Sequence, residues 1–356
     1  VSEQETPDRG VRIGDREVGT HAEPYIIAEM SGNHDGSLDK ALDIVRVAAD
    51  AGAHAIKLQT YTADTITIDV DTPEFRLSDD HELWGGRSLY DLYEEAHTPW
   101  EWHEPIFTLA RELGLHAFSS PFDPTAVSFL EDLDVPAYKI ASSEIVDLPL
   151  IRLAAGTGKP VIISTGMASM GEIAAAVEAA RSTGNDQIIV LSATTSYPAD
   201  PRQSNLRGLP LLSGAFQVPV GLSDHTMGIG AAVAAVAFGA SVVEKHVTIS
   251  REGGGVDSAF SLEPHELALL VSETRTAWQA LGEAKIAARE SEQEGLRFRR
   301  SLFVVEDVKA GDPVTPANVR SIRPAGGLAP DLFGLVEGRT FRVDAAKGTP
   351  LSWDIV

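Results

Sequence analysis

The 356-residue chain carries 52 acidic against 29 basic residues, a formal charge of −23, and no cysteine. That balance speaks against nucleic acid and against anionic membrane surfaces as partners, and the absence of thiols excludes a disulfide framework and thiolate catalysis. A metal site is thereby confined to His, Asp, Glu, carbonyl and water, a donor set suited to Mn²⁺, Mg²⁺, Co²⁺ or Zn²⁺.

An apolar share of 43% supports a substantial core, while no apolar run approaches the roughly 20 residues of a membrane span. Val1 to Thr20 is polar and acidic, without the apolar stretch of a secretory signal, so a cytoplasmic location is expected. Any anionic substrate must be held by a local positive pocket against an unfavourable global field.

In chain order, Val11 to Val18 reads as a short hairpin turning at Gly14-Asp15. Apolar, β-rich runs then recur at Tyr25–Met30, Ala55–Thr60, His116–Ser120, Ala137–Ser142, Pro160–Thr165, Gln187–Ala193, Pro219–Asp224 and Ser241–Val247. Helical patterns fill the gaps, among them Leu38–Ala51, Trp102–Leu113, Thr125–Leu133, Met170–Ser182, Met227–Gly239 and Glu263–Leu281. Eight strand–helix units predict a (β/α)₈ TIM barrel, with an open doubly wound sheet as the second choice. The stretch Tyr61 to Ala96 is too long for an ordinary connection and is expected to cover a site. Val256-Asp257-Ser258, after three glycines, reads as a second loop over the same face. Past Leu281 the composition shifts. Gly282 to Gly295 is charged and alanine-rich and reads as a helical linker, and Arg297 to Val356 as a small β-rich domain. The expected division is therefore 1–282, a linker over 283–296, and 297–356.

In a barrel the chemistry belongs at the C-terminal ends of the strands, and the polar residues fall there. His225 and His246 close consecutive strands, which would bring two imidazoles close enough to share a divalent cation with open positions for substrate oxygens. Period-two alternation puts Lys57 with Gln59, Ser223 with His225, and Glu244 with His246 on matching faces, and turns Lys245 towards the helices. Lys57, Lys139, Ser142, Ser164 and Ser223 at one mouth form a cradle for phosphate or carboxylate. Glu29, Glu144 and Glu244 are candidates for acid, base or metal-supporting roles, which spacing alone does not divide. The residues thus point to a metal-assisted enzyme acting on a small phosphorylated or carboxylated substrate.

Ala28-Glu29-Met30-Ser31-Gly32-Asn33-His34, Ile56-Lys57-Leu58-Gln59-Thr60, Tyr138-Lys139-Ile140-Ala141-Ser142, Ser164-Thr165-Gly166-Met167, Gly221-Leu222-Ser223-Asp224-His225 and Glu244-Lys245-His246 together resemble the sialic acid synthase family. Arg300-Ser301-Leu302, Arg323-Pro324 and Gly348-Thr349-Pro350-Leu351-Ser352-Trp353-Asp354 are similar to its C-terminal antifreeze-like (SAF) domain. Leu83-Trp84-Gly85-Gly86-Arg87-Ser88-Leu89-Tyr90-Asp91-Leu92-Tyr93 and Gly254-Gly255-Val256-Asp257-Ser258 resemble the pseudaminic acid synthase branch rather than the N-acetylneuraminate branch.

The resemblance implies condensation of phosphoenolpyruvate with the open-chain aldehyde of an N-acetylated hexose, here a 6-deoxy diacetamido sugar. It implies a divalent ion on His225 and His246, with Mn²⁺ expected ahead of Mg²⁺ or Co²⁺, to polarise the aldehyde. Lys57, Lys139, Ser142, Ser164 and Ser223 would hold phosphoenolpyruvate, Glu29 would organise water and sugar, and Glu144 would position the lysines. Trp84, Tyr197 and Asp257 would contact the sugar, and Arg323 would reach over from the partner of a domain-swapped homodimer. A synthase of legionaminic or N-acetylneuraminic acid, a Schiff-base aldolase on Lys139 or Lys57, and a non-catalytic binding protein are the alternatives.

Overall fold

The computed structural model describes residues 10–78 and 85–356, so Trp84 lies outside the described residues. The chain divides into two compact units, Val1–Gly282 and Glu283–Val356. In the first, β1 (Val11–Ile13) and β2 (Arg16–Val18) form the expected antiparallel hairpin. Eight parallel strands follow, β3 (Tyr25–Glu29), β4 (Ala55–Thr60), β5 (His116–Pro121), β6 (Tyr138–Ile140), β7 (Val161–Ser164), β8 (Ile188–Ala193), β9 (Val220–Asp224) and β10 (Ala240–His246). They close into a TIM barrel, with β10 pairing β3 and each other strand pairing its sequence neighbours. The strands are buried on both faces, as strands with helices outside and packed side chains inside must be.

Each strand is followed by a helix, from Leu38–Asp50 after β3 to Pro264–Leu281 after β10. Local chemistry starts these helices. The Ser37 hydroxyl accepts from Lys40 N, Asp147 from Leu150 N, and Ser169 and Glu172 form a reciprocal cap. Pro124 and Pro264 occupy first-turn positions where no N–H is needed. The helix between β9 and β10 covers only Gly230–Val236, shorter than the expected Met227–Gly239.

The hairpin caps the N-terminal ends of the strands. Val11, Ile13 and Val18 join the barrel core. Asp15 meets His116 Nε2 at 3.0 Å, and His116 Nδ1 meets the Tyr25 hydroxyl at 2.7 Å. One tight approach shapes the β9–β10 pairing. A Cβ on Gly221 would lie 2.3 Å from the carbonyl oxygen of Val242, where the β9–β10 register shifts between Ala240 and Val242. Glycine lets the two backbones come together there.

The second unit carries β11 (Ser301–Val304) and β12 (Val319–Ile322), an antiparallel pair over a core that includes Leu302, Val304, Val319, Phe341 and Leu351. The helical linker expected over Gly282 to Gly295 is not formed. The segment carries only 3₁₀ turns, at Glu290–Glu292 and Glu294–Phe298. Alanine content favours a helix, but the segment is exposed almost throughout and buries no face that would stabilise one.

Candidate active site

Eleven of the thirteen residues predicted to form the site line one cavity of about 570 Å³ at the C-terminal ends of the strands. They are Glu29, Lys57, Lys139, Ser142, Glu144, Ser164, Tyr197, Ser223, His225, His246 and Asp257. The other two are Trp84 and Arg323, the latter exposed in the second unit just past β12.

The floor is a buried network of paired charges and hydroxyls. Lys57 Nζ sits 2.5 Å from Glu29 Oε2 and donates to Ser120 Oγ at 3.4 Å. Lys139 Nζ donates to Ser164 Oγ at 2.6 Å and lies 3.6 Å from Glu244 Oε1, which accepts from Ser223 Oγ at 3.0 Å. These contacts require the alternation read from the sequence, since Lys57, Lys139, Glu244 and Ser223 all project into the barrel. Burial opposes the charge of Lys57, but Glu244 and Glu29 outweigh it and raise its pKa above that of an ordinary lysine. For Lys139 burial wins over Glu244 and the pKa falls. Burial pushes Glu29 up, whereas Lys139 and Lys57 overcome the burial of Glu244 and hold its carboxyl low.

Glu144, expected to position the lysines, feels the charge of Lys139 without pairing with it. It stands on the 3₁₀ turn Ser143–Val146, with Oε2 buried and without a hydrogen-bond partner. No hydrogen bond or ion pair joins it to either lysine among the described residues; Glu244 takes that place. Spacing could not separate the two glutamates, because β6 ends at Ile140 rather than at the expected Ser142 and the chain then turns away. Burial pushes the Glu144 pKa up to about 7. Ser142, in the same turn, accepts from Gly166 N at 3.1 Å.

At the upper edge the rings of His225 and His246 lie 5.3 Å apart at 67°. His225 Nδ1 is 2.7 Å from the Thr194 carbonyl oxygen, which accepts its proton and leaves Nε2 as a lone-pair donor. Burial lowers both pKa values, His246 further because His225 and three lysines surround it, so both rings are neutral. His246 Nδ1 is buried without a hydrogen-bond partner and lies 3.7 Å from Asp257 Oδ2. Two neutral imidazoles with donor atoms unused by the protein, beside a carboxylate, fit a divalent ion of the Mn²⁺, Mg²⁺ or Zn²⁺ type.

Aromatic rings hold the pair in place. Tyr197 packs 4.5 Å from His225, and Phe260 packs 5.0 Å from His246. Asp257 accepts from Ser31 Oγ, and Asn33 Nδ2 donates to Val247 O at 2.9 Å and Ser261 Oγ at 2.8 Å. These bonds tie the 254–261 loop to the β3 loop. The long segment after β4 covers the cavity as expected, contributing Tyr61, Ile66, Leu77, Leu89, Leu92 and Tyr93. Tyr61, Tyr93, Phe122 and Phe260 were not predicted as site residues; Tyr61, Phe122 and Phe260 stand outside the strands and long helices, and Tyr93 reaches the cavity from the short helix Leu89–Ala96.

Fold and cavity together define a TIM-barrel enzyme for a small anionic substrate. The chain matches the NeuB family over residues 44–286 and the SAF domain over residues 299–356. It shares 41% identity with the pseudaminic acid synthase of Campylobacter jejuni over 332 residues, 93% of this chain and 96% of that one. It shares 33% with the N,N'-diacetyllegionaminic acid synthase of the same species, over 90% of this chain and 97% of the relative. The crystal structure of N-acetylneuraminic acid (sialic acid) synthetase from Leptospira borgpetersenii, in complex with citrate, is 32% identical. It aligns at a TM-score of 0.73 over 81% of this chain and 95% of its own. The protein belongs to the NeuB family and carries a SAF domain. It is a phosphoenolpyruvate-dependent nonulosonic acid synthase, of a family whose enzymes are generally metal-dependent.

Proposed function

We propose that the barrel condenses phosphoenolpyruvate with 2,4-diacetamido-2,4,6-trideoxy-altrose to form pseudaminic acid and phosphate. The observation that carries this reading is the meeting of a lysine and hydroxyl floor with two neutral imidazoles in one cavity. The choice of sugar is supported by the 41% identity to a pseudaminic acid synthase.

Lys57 and Lys139, with Ser142, Ser164 and Ser223, hold the phosphate and carboxylate and offset the acidic field of the chain. His225 and His246 hold a divalent ion, Mn²⁺ in this reading, which when bound supplies Lewis acidity towards the aldehyde oxygen. Tyr197 and Asp257 orient the sugar so that its carbonyl carbon faces the enol carbon. A C–C bond forms there from the enol electron pair, leaving C2 electron-poor, and the aldehyde oxygen takes a proton from solvent. Glu29, beside Lys57 and Gln59, orients the water that adds at C2 and takes its proton. The C2–O bond to phosphate then breaks with its electron pair leaving on the phosphate, the new C2 hydroxyl releases its proton to that phosphate, and a 2-keto acid remains. Arg323 of the partner reaches the N-acetyl group in a domain-swapped homodimer.

The test is a side-by-side assay of the three candidate sugars with phosphoenolpyruvate and Mn²⁺, reading phosphate release and product mass. The altrose derivative is expected to show the highest kcat/KM, and chelation to abolish turnover. Activity that survives chelation, together with a borohydride-trapped adduct, would replace this reading with a Schiff-base aldolase.

A further inference from the structure

The last rung of the β9–β10 ladder is Asp224 opposite Lys245. Both side chains point outwards, away from the cavity, and each is 1% exposed. Lys245 Nζ lies 2.9 Å from Asp224 Oδ2 and also donates to the Thr226 carbonyl oxygen at 2.5 Å. Asp224 Oδ1 accepts from Thr226 N at 2.9 Å. One ammonium therefore grips the residues on both sides of His225, while its own backbone leads directly into His246.

The strand ladder does not fix His225, because β9 ends at Asp224 and His225 stands in the turn beyond it. Beyond the ring's own contacts with the Thr194 carbonyl oxygen and Tyr197, the backbone of that turn is held by the hydrogen bond from Ala199 N to the His225 carbonyl oxygen, at 2.9 Å, and by the lysine grip on Asp224 and Thr226. A buried ion pair contributes little net stability compared with apolar residues of the same volume. This pair makes more sense as a device that fixes geometry.

We infer that Lys245 and Asp224 are positioning residues that set the separation of the His225 and His246 rings, and so the affinity of the site for a divalent cation. The inference rests on the reading of those two histidines as ligands. Residues that orient metal ligands without touching the ion typically govern about 10–100-fold in affinity.

The experiment measures Mn²⁺ binding to the purified full chain by calorimetry and the Mn²⁺ resonance by electron paramagnetic spectroscopy. The variants are Lys245→Met/Asp224→Leu, Asp224→Asn, Val243→Ala and His225→Ala, and thermal unfolding is followed in each. The apolar double variant is expected to keep most of the wild-type melting temperature yet weaken Mn²⁺ binding about 10–100-fold, with an altered spectrum. Asp224→Asn keeps an acceptor and the turn and is expected to weaken binding several-fold; it decides the matter if the double variant does not fold. Val243→Ala, on the same outward face of β10, is expected to lower the melting temperature and leave Mn²⁺ affinity unchanged. A folded double variant that binds Mn²⁺ as wild type does, or an unaffected Asp224→Asn where the double variant is unfolded, overturns the inference. Loss of affinity in Val243→Ala in proportion to its lost stability does so too, since the effect would then be structural. Undiminished binding in His225→Ala would instead remove the ligand reading itself.

Discussion

At the scale of single residues, the cavity separates groups by environment more than by type. Burial holds His225 and His246 neutral, helped at His246 by His225 and the nearby lysines and opposed at His225 by Glu244 and Asp224, and neutrality is what a metal ligand needs. His225→Ala and His246→Ala are each expected to leave a folded chain, checked by circular dichroism, with Mn²⁺ affinity and turnover reduced more than about 100-fold. Glu144 shows the same principle with the opposite sign. Burial raises its pKa from 4.5 to about 7, so the native chain binds a proton that the unfolded chain has already released. Its stabilising contribution is complete below about pH 4.5 and fades as pH rises through 7. Glu144→Gln keeps the neutral shape at all pH values. It is expected to melt at a higher temperature than wild type at pH 8, by about 1–3 kcal/mol of stability, and to match it near pH 4.5. Equal melting curves at pH 8 would show that the carboxyl is ionised there without cost.

Elements carry the residues to the cavity, and here the sequence is informative in an uneven way. All eight barrel strands were legible, with ends within three residues of those read, because each is a short apolar run bounded by glycine, proline or a cap. The polar residues at their ends were legible as a site because a parallel barrel brings every strand end to one rim. The roof was harder to read. Leu89, Leu92 and Tyr93 cover the cavity from a short helix, Leu89–Ala96; their i, i+3, i+4 spacing marks an apolar face, but that this face meets the cavity depends on tertiary placement. The division of labour between Glu144 and Glu244 was likewise hidden, since it turns on where β6 stops. Gly221 gives the element scale its sharpest test. A methyl group there meets the Val242 carbonyl oxygen and the side chain of Leu191, and must push β9 away from β10. Gly221→Ala is expected to cost more than about 2 kcal/mol in denaturant unfolding and to weaken Mn²⁺ binding together with stability. A fully stable variant would mean that the two backbones have room to separate.

For the whole molecule, the net charge of −23 is set against a cavity floor that carries two lysines. Binding of the anionic substrate is therefore expected to tighten as salt screens the outer field, visible as a lower KM for phosphoenolpyruvate at moderate ionic strength. The proposed domain swap assigns the exposed Arg323 of the second unit to the partner's barrel, and that assignment is testable by complementation. Arg323→Ala alone is expected to raise the sugar KM, and His225→Ala alone to be inactive. Co-expressed, the pair should form hybrid dimers in which one intact barrel receives an intact arginine from the other chain, restoring a near-normal sugar KM for part of the population. A mixture that behaves as the plain sum of the two variants would show that Arg323 serves its own chain.

The hairpin stopper beneath the barrel, locked by Asp15, His116 and Tyr25, has a kinetic consequence. It closes the N-terminal end of a barrel whose interior is packed, so among the described residues the cavity lies at the C-terminal ends of the strands, and on the proposed arrangement both reactants bind there. On the proposed arrangement the enol phosphate lies deepest and the sugar sits above it, blocking the way in. Arrival must then be sequential, phosphoenolpyruvate first, and a dead-end analogue of the sugar should compete with the sugar but be uncompetitive towards phosphoenolpyruvate.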